Sequence, residues 1–234
     1  MLEVVMAATI MYIPGWLRCH EESGLAWSEI TNTFTTAECV YHDWDGNRRW
    51  RVSLKNSDEE AVKLADALLA LTAAQRGETI LIGHSLGGRI VARTLARISA
   101  SGAKVKQGVL LGAAIPADDP DLMKMGAGSE LPVLNFSNEK DVTLKYFYSI
   151  LGGESMKPLG SAGFASLPSN VRSYSVPSNA VTDVQIDAAW AKLDAIKRLA
   201  SHYAPFYLHS LRQEIKASDG VEMSVLKKCA NMVK

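Results

Sequence analysis

A serine lies between glycines in the run Gly-His-Ser-Leu-Gly-Gly at residues 83–88. An apolar run, 78–82, precedes it and a helix-like stretch, 89–98, follows it. The pattern G-x-S-x-G at a strand-to-helix turn is typical of a nucleophile, because the strained turn lifts the hydroxyl above the sheet edge. Glycines are expected on both sides because a Cβ there would collide with neighbouring backbone. The sequence therefore predicts that Ser85 is a nucleophile, and not part of a phosphate-binding loop, which would end in Gly-Lys-Ser/Thr.

These residues resemble the elbow motif of the α/β-hydrolase superfamily, in its serine esterase and lipase branch. Within that superfamily, the runs 83–94, 110–116 and 135–141 resemble a group of lipase-like hydrolases of unknown substrate, called DUF726. The resemblance covers roughly the middle of the chain and its histidine-bearing end. It implies an α/β-hydrolase fold: a doubly wound, mostly parallel sheet of about six strands with helices on both faces.

The base is the next residue to place, because a serine hydroxyl needs a partner that removes its proton. In the resembled fold, an acid and then a histidine follow the nucleophile along the chain. This order leaves His202 and His209 and excludes the earlier histidines, His20, His42 and His84. We favour His202, since it precedes a predicted helix in which His209 lies. For His84, beside the serine, we expect a packing role.

The acid that orients this base is predicted to be Asp141. It follows a predicted strand, 131–137, which would deliver it to the carboxyl edge of the sheet, where the resembled enzymes carry their acid. Glu139 lies two residues earlier and is the alternative. Three further carboxylates form a fallback, although a solvated turn explains them better: Asp118, Asp119 and Asp121.

An acyl-transfer intermediate carries a negative oxygen that needs two fixed N–H donors. Leu86, directly after the nucleophile, is predicted to supply one. The loop 13–17 resembles the His-Gly-x loop of many family members, with Pro14 in place of the histidine. Trp16 is its predicted donor, and Leu17 is the alternative. A second polar aromatic loop follows another strand and could also line the site, residues 41–46.

Composition narrows the class of protein. The chain has 234 residues, 47% of them hydrophobic, which suits a single α/β domain spanning 1–234. Its 25 basic and 25 acidic residues balance, so there is no basic excess for nucleic acid or an anionic membrane. The cysteines are scattered without metal-ligand spacing, and we expect reduced thiols at Cys19, Cys39 and Cys229. No metal or organic cofactor is expected.

The apolar run 4–13 has neither a basic segment before it nor an Ala-x-Ala cleavage site, so it does not fit a signal peptide. It is also too short to span a bilayer. We interpret it as a buried strand that ends at Pro14. These features predict a cytoplasmic protein without stable membrane insertion and without a nucleic-acid partner.

Continuous apolar runs predict the strands of a buried parallel sheet. They lie at about residues 4–13, 37–42, 78–83, 107–114, 131–137 and 171–176. The clearest helix is predicted to begin at Ser57, in a capping box with Glu60, and to end at Gly77. Its predicted apolar face is Val62, Ala65, Leu68 and Leu69. Further helices are predicted at about 86–102, 184–200 and 205–216.

The region 151–170 is rich in glycine and proline, which predicts irregular structure. In the resembled fold such an insertion usually passes over the active site. We expect a mobile cover whose apolar side chains face the pocket: Met156, Leu159 and Phe164.

Together these residues predict a serine hydrolase that acts on a small carboxylic ester through an acyl-enzyme intermediate. An acyltransferase, amidase or thioesterase would use the same triad, because a triad does not determine the leaving group. A catalytically silent binding module would keep the elbow without a base in reach.

Overall fold

The computed structural model describes residues 7–16, 20–126, 131–148, 157–164, 168–176, 202, 204–218 and 220–230. Within these residues, six strands form one sheet in which every neighbouring pair is parallel. The strands are β1 (Thr9–Ile13), β2 (Glu38–Tyr41), β3 (Thr79–His84), β4 (Gln107–Leu111), β5 (Val133–Ser137) and β6 (Val171–Ser175). Their order across the sheet is β2-β1-β3-β4-β5-β6. Each lies within one of the six predicted runs or extends one residue beyond it.

Helices cover both faces of this sheet. They are α1 (His20–Thr33), α2 (Trp50–Ala70), α3 (Ala73–Gly77), α4 (Leu86–Ala100), α5 (Pro120–Gly126), α6 (Leu159–Ala162), α7 (Ala204–Ala217) and α8 (Val221–Cys229), with a π-helical turn at Thr143–Tyr148. One buried cluster joins α2, α4 and α5 to the sheet, and a second joins α1, α7 and α8 to the other face. Residues of β3 alternate between them, since Leu81 belongs to the first cluster and Ile80 and Ile82 to the second. The predicted doubly wound architecture is confirmed.

The predicted start of the helix after β2 is wrong. Ser57 lies inside α2 and is buried, and its hydroxyl donates a hydrogen bond to the carbonyl oxygen of Leu54, 2.6 Å away. Glu60 does not close a capping box, because its Oε1 lies 2.9 Å from Nε2 of His42. The helix begins earlier, at Trp50, since that first turn already packs against the core.

The predicted end and apolar face of this helix also need correction. Helix α2 ends at Ala70, and Gly77 instead ends the separate helix α3, where Thr72 and Gln75 form a capping box. Val62 is 41% exposed. The apolar side chains that α2 buries are Ala61, Leu64, Ala65 and Leu68.

The segment 157–164 is more ordered than the predicted irregular cover. It contains α6, and Leu159 is fully buried in the core, with its N–H bonded to the carbonyl oxygen of Ile115 at 2.7 Å. Phe164 packs half-buried against the same cluster. Leu159 thus fills the core and does not face an open pocket, because the segment is bonded to the end of the sheet. Met156 lies outside the described residues.

At the end of the chain, the predicted helix 205–216 is confirmed as α7, and α8 follows it without having been predicted. The predicted helix 184–200 lies outside the described residues. None of the described helices is both long enough and apolar enough to cross a membrane.

Candidate active site

Ser85 occupies the sharp turn between β3 and α4. Its backbone angles are φ 55° and ψ −119°, and it is the one non-glycine residue with positive φ in the described part of the chain. The strained turn is held to the neighbouring strand. The N–H of Ser85 donates to the carbonyl oxygen of Leu111 at 3.0 Å, and its own carbonyl accepts from the N–H of Ala114 at 2.9 Å. Such strain persists only where the surroundings over-determine it, as these bonds do.

The glycines of the elbow are required by space. A Cβ built on Gly83 would lie 2.3 Å from the carbonyl oxygen of Gly87, and one built on Gly87 would lie 2.1 Å from the carbonyl oxygen of Ile13. Both contacts are with backbone, which cannot move aside cheaply. The prediction that a side chain at these positions would collide with backbone is confirmed.

His202, just before α7, lies between Ser85 and Asp141. Its Nε2 is 2.8 Å from the Oγ of Ser85, and its Nδ1 is 2.6 Å from Oδ2 of Asp141. The carboxylate only accepts, so Nδ1 donates to it, and Nε2 is left to accept the hydroxyl proton of the serine. The three predicted residues are therefore brought into one continuous hydrogen-bonded chain.

Asp141 is fully buried in the turn that follows β5. Its N–H donates to the carbonyl oxygen of Asn138 at 2.9 Å, which closes the turn. Its Oδ1 accepts the backbone N–H of Leu144 at 2.9 Å, at the start of the π-helical turn. One carboxylate oxygen thus fixes the side chain, and the other is directed at His202.

His84 is buried beside the elbow, and its Nε2 donates a hydrogen bond to the carbonyl oxygen of His202 at 2.6 Å. Its ring lies 5.0 Å from that of His202 and 5.8 Å from that of Tyr207. The pKa of His84 lies well below its usual range, chiefly because burial penalises the charged ring, and also because His202 is near. The expected packing role is accompanied by a hydrogen bond that the sequence did not indicate.

Tyr207 is a site residue that sequence reasoning missed. Its hydroxyl donates to Oδ2 of Asp141 at 2.8 Å, and the side chain is fully buried. Burial, and then the negative charge of Asp141, raise the pKa of this phenol well above its ordinary value. A tyrosine on the apolar face of a helix ordinarily packs in the core, so the sequence carries no signal for this bond.

The alternative residues lie away from this chain of bonds. His209 is half-buried within α7, with its Nε2 3.3 Å from the side-chain nitrogen of Gln213. Glu139 is exposed, and Asp119 pairs with Arg93 at 3.1 Å. Of the other two fallback carboxylates, Asp118 is exposed and Asp121 pairs with Lys124.

The predicted oxyanion donors flank Ser85. Leu86 is the first residue of α4, and no described residue accepts a hydrogen bond from its N–H. A Cβ built on Gly15 would lie 2.8 Å from the Cβ of Ser85, so the loop after β1 passes directly beside the serine. Trp16 is the next residue of that loop, and its donor role stays a prediction. Leu17 lies outside the described residues.

The loop 41–46 contacts the loop after β1 that passes beside Ser85. The Nε1 of Trp44 donates to the carbonyl oxygen of Pro14 at 2.9 Å, and the Nε1 of Trp16 donates to the carbonyl oxygen of Arg48 at 2.8 Å. These indole bonds hold the loop after β1 in place. Trp44, within the loop 41–46, therefore helps to hold the loop after β1 beside Ser85.

The described residues include two free thiols but no candidate metal site. Across the described ranges, no group of three His, Cys, Asp or Glu side chains is placed to hold a metal ion. Cys39 and Cys229 are free thiols whose pKa values are raised, chiefly by burial. Cys19 lies outside the described residues.

Comparison with known proteins gives a family and a set of distant structural neighbours. A family model described as a protein of unknown function (DUF726) matches residues 46–166. No curated protein matches the sequence significantly.

Three of the similar solved structures show how low the sequence identity and the structural similarity are. An esterase from Pyrobaculum calidifontis has 15% identity over 87% of this chain and 77% of its own, with a TM-score of 0.43. The type II thioesterase of the yersiniabactin biosynthetic pathway has 14% identity over 87% and 96%, with a TM-score of 0.47. A putative esterase from Staphylococcus aureus has 12% identity over 73% and 67%, with a TM-score of 0.45. Identities and scores this low carry no information about activity.

The strand order and the strained serine turn after β3 are those of an α/β-hydrolase fold. The matched residues, 46–166, make up just over half of the chain and include the elbow and Asp141. The chain therefore has the α/β-hydrolase fold and belongs to the DUF726 family of proteins of unknown function.

Proposed function

We propose that the protein is a serine hydrolase that cleaves carboxylic esters. The observation that carries the proposal is the continuous hydrogen-bonded chain from Ser85 through His202 to Asp141, with distances of 2.8 and 2.6 Å. A buried serine, a partly buried histidine and a buried carboxylate in this order provide a nucleophile, a base and a group that orients the base. The strained backbone of Ser85 supports the same role, because strain of this kind clusters at functional sites.

In the proposed first step, Oγ of Ser85 attacks the ester carbonyl carbon while Nε2 of His202 takes the hydroxyl proton. Asp141 stabilises the resulting imidazolium and keeps Nδ1 protonated. The negative oxygen of the tetrahedral intermediate would accept bonds from the N–H groups of Leu86 and Trp16. As the carbon–oxygen bond to the alcohol breaks, His202 returns its proton to the leaving alkoxide, and an acyl-serine remains.

In the second step a water molecule attacks the acyl-serine, and His202 takes a proton from that water. Collapse of the second tetrahedral intermediate releases the carboxylic acid, and the proton on His202 returns to the Oγ of Ser85. One ester bond and one water are consumed, and an acid and an alcohol are formed. No redox partner is needed for this balance.

Two measurements on the purified chain test the proposal. A fluorophosphonate probe should label Ser85, as identified by peptide mapping, and p-nitrophenyl esters of increasing acyl length should be hydrolysed. Ser85→Ala should abolish both signals, whereas Ser28→Ala, at an exposed helix position, should leave both intact. Removing a triad member typically costs several orders of magnitude in turnover.

The outcomes separate the alternatives. A chain that neither takes the probe nor cleaves any ester is a binding module, and the proposal fails. Labelling of Ser85 together with faster cleavage of a thioester or an amide, or faster acyl transfer to an added alcohol, would retain the triad and overturn the assignment to esters.

A further inference from the structure

Oδ2 of Asp141 receives two hydrogen bonds from groups of the same chain segment. Nδ1 of His202 donates at 2.6 Å and the hydroxyl of Tyr207 donates at 2.8 Å. The other carboxylate oxygen accepts the backbone N–H of Leu144 at 2.9 Å. The oxygen that faces the base is therefore shared between the imidazole and a phenol.

The phenol is held rigidly in this position. Tyr207 is fully buried on α7, in the cluster between that helix and the sheet. Its ring tip passes against Gly112 at the end of β4, where a built Cβ would lie 2.7 Å from Cζ of the tyrosine. Gly112 also has a positive φ of 52°, so a side chain is disfavoured there on both counts. Because Gly112 has no side chain, the Tyr207 ring can pack against it and bring its hydroxyl within hydrogen-bonding distance of Asp141.

When one carboxylate oxygen accepts hydrogen bonds from two donors, its electrostatic interaction with each donor is weaker. A hydrogen bond to the charged form of the carboxylate stabilises and disperses its negative charge, so less of that charge acts on the neighbouring imidazolium. We propose that Tyr207 is a positioning residue that, through Asp141, orients His202 and lowers its affinity for a proton. The catalytic role of Tyr207 in this inference rests on the proposed function, whereas its effect on the pKa of His202 does not.

Among the described residues, three titratable side chains are placed near the His202 ring. They are His84 from β3, Asp141 from the turn after β5 and Tyr207 from α7. His84 donates its hydrogen bond to the backbone carbonyl of His202, and its ring lies 5.0 Å from the His202 ring both in the original chain and, as expected, in Tyr207→Phe. Because the pKa of Tyr207 is raised, its hydroxyl remains protonated and keeps donating across the working range of a histidine base.

The test is an NMR titration of the His202 ring, assigned with a His202→Gln variant, in the original chain and in Tyr207→Phe. Loss of the phenol should raise the pKa of His202 by about half to one unit, the shift expected for one lost hydrogen bond. The acidic limb of kcat/KM against pH should move up by the same amount. Tyr12→Phe is the matched control, because Tyr12 is a buried tyrosine of the same core cluster, and it should move neither curve.

A second variant covers the case in which Tyr207→Phe does not fold. A tyrosine carrying fluorine beside the hydroxyl, incorporated at position 207, is a stronger donor of nearly the same shape and should lower the pKa of His202. An unshifted pKa in both variants, or the same shift in Tyr12→Phe, would overturn the inference. A shifted pKa in a chain that fails to cleave esters would support the positioning role while refuting the proposed function, so the two failures are distinguishable.

Discussion

The Nε2 of His84 lies 2.6 Å from the carbonyl oxygen of His202. A carbonyl oxygen only accepts, so His84 must be the donor, and its ring is the Nε2-protonated tautomer. His84 directly precedes Ser85, so this bond ties the elbow to the segment that carries the base. The distance between nucleophile and base is therefore maintained by a hydrogen bond that neither reacting side chain makes.

Replacing His84 by glutamine should flatten the dependence of stability on pH. The pKa of buried His84 is depressed in the folded chain, whereas in the unfolded chain it is about 6.5. Below about pH 6.5 the unfolded state binds this proton and the folded state does not, so stability falls as pH drops, at about 1.4 kcal/mol per pH unit for one proton. His84→Gln keeps an N–H donor and removes the titration.

The measurement is urea unfolding of both proteins at pH 7, 6 and 5. Groups that do not interact with His84 contribute equally to the two proteins, so the difference between the two curves reports His84 together with its interaction with His202. Parallel curves would contradict the depressed pKa.

Asp141→Asn should lower turnover by roughly three to four orders of magnitude. The amide cannot oppose the imidazolium with a negative charge, and it can present an N–H to His202 in place of an acceptor. The chain should still fold, since an amide oxygen can continue to accept the N–H of Leu144. Steady-state ester hydrolysis and a thermal melt measure the two effects.

Glu139→Gln is the matched control for this change, two residues away and exposed. It should retain full turnover. Near-normal activity in Asp141→Asn, with loss in Glu139→Gln or Asp119→Asn, would mean that the acid has been assigned to the wrong residue.

The parts of the molecule that were predictable depend on local patterns. Ser85, the six strands and α7 follow from glycine spacing and apolar run length, because these features act within a few residues. The predicted start of α2 was wrong because Ser57 and Glu60 match a capping box in sequence, while in the structure Ser57 is buried within a continuous helix. A local propensity gave way to tertiary packing.

The support around the site could not be predicted, because it joins residues far apart in sequence. The bond from Tyr207 reaches back to Asp141, and the bond from His84 reaches forward to His202. The need for a glycine at position 112, which has a positive φ, is apparent only when the Tyr207 ring is seen to pack against it. These contacts exist only after the sheet and α7 have packed, so no pattern in the sequence indicates them.

Gly87→Ala should destabilise the fold by about 3 kcal/mol or more, because its Cβ would lie 2.1 Å from the carbonyl oxygen of Ile13. Gly77→Ala is the control. A Cβ built there meets nothing within 4 Å, and the residue ends α3 without a positive φ, so alanine should be neutral or slightly stabilising. Denaturant midpoints measure both changes. Equal stability of the two variants would show that the elbow can relax around a methyl group.

The base can be tested by comparing the two histidines that follow the acid along the chain. His202→Ala should eliminate turnover, because its ring alone, among the described histidines, lies within hydrogen-bonding distance of both Ser85 and Asp141. His209→Ala should retain turnover, since its ring contacts Gln213 within α7. In the original chain, kcat/KM should fall as pH drops through the range in which the base gains its proton, because a protonated base cannot take the serine proton. Retained turnover in His202→Ala, or a loss confined to His209→Ala, would refute the assignment even if Ser85 were labelled, since the nucleophile would then be activated by another group.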